Sequence, residues 1–101
     1  MADYHTEGTK KLFKVIAALQ TPEDVKSFFE DICTIKELQD MGQRLEAALL
    51  LNEGWSYQKI SEQVGISPAT ISRVSRCLHY GSGGYEAAIK KIYEMGDEAE
   101  E

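Results

Sequence analysis

Cysteine is scarce: Cys33 and Cys77 stand alone, with no CxxC and no Cys/His spacing. Their isolation excludes a zinc finger and a disulfide framework, and fits two small apolar fillers in a reducing, cytoplasmic setting. Long apolar runs are missing too. The most continuous one, Leu45 to Leu51, is interrupted by Glu46 and is too short to cross a bilayer. No basic region followed by an apolar run opens the chain, so neither export nor membrane insertion is expected. Strand-like alternation of useful length is absent, which leaves an all-α chain. Paired carboxylates, a nucleophile beside a base and metal-ligand spacings are also lacking, so the sequence predicts no enzyme, no metal site and no resident cofactor.

Positive charge is in short supply as well. Eleven Lys and Arg face 17 Asp and Glu over 101 residues, for a net charge of -6. Where those charges lie matters more than their sum. Glu94, Asp97, Glu98, Glu100 and Glu101 put five acids into the last eight residues, a tail that is either simply solvated or repels unsuitable surfaces. From Ser56 to Tyr80, by contrast, Lys59, Arg73 and Arg76 oppose only Glu62, a local balance of +2 with histidine neutral. A positive field this weak implies modest salt dependence and poor nonspecific attraction to polyanions.

A chain of this length corresponds to one domain, residues 1–101, with a modest core that a second subunit could enlarge. Residues 1–6 carry no period and are expected to fray. From Thr9, the residues Leu12, Phe13, Ile16, Ala17 and Leu19 form an apolar stripe opposite Lys10, Lys11 and Lys14. Thr21-Pro22-Glu23-Asp24 opens a second helix with a hydroxyl cap, proline at the first position and acids at the positive end of the dipole; Val25, Phe28, Phe29 and Ile32 face inward. Thr34-Ile35-Lys36-Glu37 is a capping box that starts the longest helix, which runs to about Asn52 before Glu53-Gly54. Leu38, Met41, Leu45, Ala48, Leu49 and Leu51 mark its stripe, widened by Ala47 and Leu50. So wide an apolar surface needs cover on several sides, from a second copy or from a crowded monomeric core. After a flexible Gly81-Ser82-Gly83-Gly84 break, Tyr85, Ala88, Ile89, Ile92, Tyr93 and Met95 define a last amphipathic helix.

Between the long helix and that break lies the most informative stretch, about residues 56–76. Ile60, Val64, Ile66, Ile71 and Val74 follow two helical periods separated at Gly65-Ile66-Ser67. Ser61 is small where two helices cross, Gly65 can take the positive φ that closes the first of them, Ser67 caps the second, and Pro68 occupies its first position. This is a helix-turn-helix pattern. The second helix carries Ala69, Thr70, Ser72, Arg73, Ser75 and Arg76 outward, without an acid, a surface that can approach double-stranded DNA. Pro68, Ala69, Thr70 and Ser72 would approach base edges, Arg73 and Arg76 phosphate or guanine, and Gln58 and Lys59 the backbone or groove rim. Trp55 is either packing at a helix junction or a platform for DNA or a ligand, and His79 suits a helix carboxyl end better than a sensor.

Gly42-Gln43-Arg44 within the capped long helix, the Gly54-Trp55-Ser56 entry and Pro68-Ala69-Thr70-Ile71-Ser72-Arg73 together resemble the Trp repressor family, in particular its Trp-repressor-like YerC/YecD branch. The likeness is carried by motifs over about residues 34–78 and by helix order outside them. It implies about six helices in an intertwined homodimer, with two reading heads about one DNA turn apart on a palindromic operator. It also implies a transcriptional regulator, a repressor in the parent family, with an amino-acid corepressor held by two arginines. The matching positions are Arg44 and Arg73, with Thr34 lining the same pocket. Val74 stands where a glycine would let an indole lie, and Cys77 replaces a serine. These departures count against L-tryptophan and favour a smaller amino acid such as histidine, or no ligand. Simpler roles stay open: Arg44 can pair with Asp40 one turn earlier, Arg73 can serve phosphate alone, and Val74 is a core position in any helix-turn-helix. A helix-turn-helix scaffold used for protein interaction without reading DNA is the alternative from another class.

Overall fold

Five of the helix starts among the described residues coincide with side-chain oxygens that take over otherwise free amides. The computed structural model describes residues 5–96. Among these are six helices: α1 (Glu7–Ala18), α2 (Pro22–Ile32), α3 (Ile35–Asn52), α4 (Tyr57–Val64), α5 (Pro68–Tyr80) and α6 (Gly84–Met95). No helix is long and apolar enough to cross a membrane among the described residues. Residues 1–4 and the acids from Asp97 onward, which include most of the acidic tail, lie outside the described residues; Glu94 is exposed on α6.

The chain groups into two compact units, Met1–Leu38 and Gln39–Glu101. In the first, Thr6 caps α1 by accepting from the Thr9 amide at 3.0 Å. The helix therefore starts at Glu7, not at Thr9 as the periodicity suggested, and residues 5 and 6 belong to its approach. Thr21 accepts from the Asp24 amide at 3.0 Å and Pro22 opens α2, as the motif predicts. The capping box is reciprocal: the Thr34 amide donates to Glu37 Oε1 at 2.8 Å and the Glu37 amide to Thr34 Oγ1 at 3.1 Å. No residue of α1 or α2 is buried within the single chain. Val15 and Ile32 are exposed, and Ile35, the first residue of α3, is 76% exposed.

The second unit holds the core. Ala47 and Ala48 of α3, Ile60 of α4, Ile71 and Val74 of α5 and Ile89 of α6 form one buried cluster, with Leu49, Leu50, Leu51, Val64, Ile66, Leu78 and Tyr85 packed against it. Only part of the expected α3 stripe goes fully inside. Leu38, Met41 and Leu45 are half-buried, because the completely enclosed part of the helix is its carboxyl half. Cys77 is exposed on the subunit and Cys33 partly buried, so the filler reading fails for Cys77. Near the end of α3, Asn52 Nδ2 donates to the Tyr93 hydroxyl at 3.4 Å, and that hydroxyl donates to Glu53 Oε2 at 3.5 Å. These contacts attach α6 to the α3 terminus.

Candidate nucleic-acid interface

The pair α4 and α5 is assembled from short-range bonds that the sequence encodes directly. Ser56 caps α4 by accepting from the Lys59 amide at 3.2 Å. Gly65 ends the helix at φ 84°, ψ 30°, and its amide donates to the Ser61 carbonyl at 2.9 Å. Only glycine takes that left-handed conformation without strain. Space around it is open, since a Cβ added there would meet nothing within 4 Å. Gly65→Ala therefore tests conformation and not crowding: a loss of about 1 kcal/mol in unfolding free energy is expected, measured by urea denaturation at fixed subunit concentration.

Three side chains then orient the second helix. Ser67 Oγ accepts from the Thr70 amide at 3.2 Å and lies 3.0 Å from Thr70 Oγ1. Ser61 Oγ donates to the Ile66 carbonyl at 2.6 Å. Gln43 Nε2, reaching from α3, donates to the Val64 carbonyl at 3.3 Å. The Ser61 hydroxyl and the Gln43 amide were not assigned these roles from sequence. The sequence points to Ser61 through its small size alone, and its one signal for Gln43 is a lone amide between Met41 and Leu45 on the apolar stripe of α3.

With Ile71 fully buried and Val74 only 2% exposed, the opposite side of α5 faces outward. Pro68, Ala69, Ser72, Arg73 and Arg76 are exposed there, while Thr70 is half-buried with its hydroxyl beside the capping Ser67. No acid occurs anywhere in α5. Gln58 and Lys59 are exposed on α4. The Gln58 amide is tied to Glu62 Oε2 at 3.3 Å, and Lys59 shares a shallow depression with Gly54, Trp55 and Ser56. His79 bonds back to the Ser75 carbonyl through Nδ1 at 2.8 Å, the behaviour of a residue satisfied within its own helix.

The candidate corepressor residues fall into different settings. Thr34 belongs to the first unit, where its hydroxyl is engaged as a helix cap. Arg44 and Arg73 are both exposed. Val74 is a core residue, enclosed with Ile60 and Ile71. Cys77 lines an open, mainly apolar cavity of about 460 Å³ with Leu45, Gly81, Ser82, Gly84, Tyr85 and Ala88, and neither arginine is part of that lining. No group of three or more His, Cys, Asp or Glu side chains suited to a metal occurs among the described residues.

Comparison with known proteins gives this geometry a family. The model of the Trp repressor protein family matches residues 7–93. The uncharacterized protein YerC of Bacillus subtilis (strain 168) is 47% identical over 89 residues, covering 88% of this chain and 86% of that protein. A crystal structure of a TrpR-like protein from Eubacterium eligens ATCC 27750 superposes with a TM-score of 0.81 at 41% identity, covering 86% of this chain and 90% of that one. A Staphylococcus aureus protein assigned as a Trp repressor gives the same TM-score at 35% identity, over 88% of this chain and 89% of its own. With a family match over residues 7–93, a relative 47% identical over most of both chains, and a helix-turn-helix at α4 and α5, the chain belongs to the Trp repressor family of transcription regulators.

Proposed function

We propose that this protein is a sequence-specific DNA-binding transcriptional regulator, a repressor that binds a palindromic operator as a homodimer in the cytoplasm. The observation that carries the reading is the two-sided character of α5. Ile71 and Val74 anchor one side in the core, while Pro68, Ala69, Ser72, Arg73 and Arg76 stand exposed on the other with no acid in the helix. Short side chains near the amino end allow close approach to base edges, and the two guanidiniums supply phosphate or guanine contacts. The homodimer is supported by α1 and α2, amphipathic helices with no buried residue in the single chain. A second copy is the occupant that would also place two reading heads on one duplex.

Enclosure of Val74 bears on ligand gating. Its side chain fills core space beneath the recognition helix, so an indole has no evident berth there. A smaller amino acid such as histidine, held through Arg44 and Arg73, is the gated form of this proposal; DNA binding without a ligand is the ungated form. Calorimetry with a panel of amino acids, followed by DNA binding with and without any hit, separates them.

Selection of bound fragments from genomic DNA tests the main reading, with a mobility shift at low salt as the direct check. Arg76→Ala is expected to weaken binding roughly tenfold across sequences and to flatten the salt dependence by about one ion per subunit. An unchanged affinity at matched salt would remove Arg76 from the contact surface. The net charge of -6 favours one competing reading, a helix-turn-helix used only for protein interaction. Such an adaptor should shift no fragment under those conditions.

A further inference from the structure

We infer that Gln43 is a positioning residue for the reading head, holding the turn of the helix-turn-helix against α3 so that the amino end of α5 is placed for base contact by the chain's own side chains. The inference rests on the DNA-binding reading proposed above, and concerns a residue that itself faces no nucleic acid. Two carbonyls flank Gly65, those of Val64 and Ile66, at the end of α4 where a helix leaves acceptors without partners in the chain. Each has a side-chain donor: Ser61 Oγ serves Ile66 at 2.6 Å, and Gln43 Nε2 serves Val64 at 3.3 Å.

The two donors do different things. Ser61 belongs to α4, so its bond fixes the angle of the turn within the motif. Gln43 lies 21 residues before its acceptor, on a different helix, so its bond fixes where the motif sits on α3. Both side chains are half-buried, which shields these bonds from competing water. Position along α5 decides which contacts feel the tether. Pro68 follows Gly65 by three residues, and the exposed Pro68, Ala69 and Ser72 occupy the opening turns of the helix. Arg76 lies about two turns beyond Pro68 and one beyond Ser72. A shift at the turn therefore disturbs the residues assigned to base edges more than the arginine assigned to phosphate, and costs discrimination before it costs attraction.

Gln43→Leu removes the donor and leaves an uncharged side chain one heavy atom shorter. Leucine is at least as good a helix former as glutamine and suits a half-buried site, so the unfolding midpoint is expected to hold or rise. Affinity for the operator fragment recovered from genomic selection should nonetheless fall roughly three- to tenfold, the effect of one hydrogen bond. Affinity for random-sequence DNA and the salt slope should stay unchanged. Amide exchange at Gly65, Thr70 and Ile71 should quicken, and Gln43→Lys, which restores a donor, should slow it again; exchange is the readout for lysine because its charge alone favours DNA. Operator affinity equal to that of the unaltered protein would overturn the inference. So would a parallel loss of operator affinity, random-DNA affinity and midpoint, which marks a merely structural residue. If the unaltered protein selects no DNA, the regulator reading fails, and the exchange measurements still decide whether Gln43 holds the turn.

Discussion

Replacing Ile71 by alanine is expected to lower the unfolding free energy by about 3 kcal/mol. Ile71 is fully buried, and with Ile60 it is one of the two largest completely enclosed side chains. Truncation removes the transfer free energy of three carbon atoms and leaves a cavity. Ala47 and Ala48, which belong to the same buried cluster, carry no side chain long enough to swing in and fill it. Better helix propensity for alanine returns only about 0.4 kcal/mol. For a domain of this size, whose total stability is on the order of 5–10 kcal/mol, the deficit is large. Urea unfolding at fixed subunit concentration measures it, since association would contribute to the apparent value. A loss under about 1 kcal/mol would mean that the core repacks around the gap. Val74→Ala, at a site nearly as enclosed but with a smaller side chain, should cost less.

If the homodimer proposed above forms through the leading helices and the start of α3, Ile35→Asp should turn it into monomers while leaving the subunit folded. Ile35 is 76% exposed at the first position of α3, next to the Thr34–Glu37 capping box. In an isolated chain, aspartate there is benign: it loses little apolar burial and sits at the positive end of the helix dipole, a contribution of about +0.5 kcal/mol to stability. If a second subunit covers this surface, the same carboxylate must be desolvated twice, once in each copy related by the twofold axis. A hundredfold or greater weakening of self-association follows, at about 1.4 kcal/mol for each tenfold. Sedimentation equilibrium reads it, with helical content by circular dichroism as the control. DNA affinity should fall with it, because one reading head alone spans half of a palindromic site. A protein that remains dimeric after this change would place the partner contact elsewhere.

Local signals in the sequence carried most of the helix boundaries. Thr21-Pro22, Thr34 with Glu37, Ser67-Pro68 and Gly65 each act within four residues, and each behaves as its chemistry dictates. The apolar pattern begins only at Thr9, two residues inside α1, because Gly8 weakens a helical pattern, while the Thr6 cap supplies what the pattern does not show. Longer-range features were less legible. The α3 stripe identified the inward side, yet which part of it closes completely depends on Ile60, Ile71, Val74 and Ile89 arriving from three other helices. Likewise, the Gln43 acceptor is a backbone carbonyl 21 residues away, and backbone carbonyls carry no sequence signature. Outward residues of α5 were readable from the 3.6-residue period. The competition for the Thr70 hydroxyl was visible only as geometry, with Ser67 Oγ 3.0 Å away.

Five helices begin under a threonine or serine hydroxyl, whereas α6 begins after Gly83, at φ 90°, with no side-chain oxygen for its opening amides. Tyr85 packs against the core from the first turn of α6, but the helix's one buried residue, Ile89, lies in its middle and Tyr93 reaches the α3 terminus from its second half. Warming should therefore unzip α6 from Gly84 inward, and melting of this helix should precede loss of the α4–α5 pair.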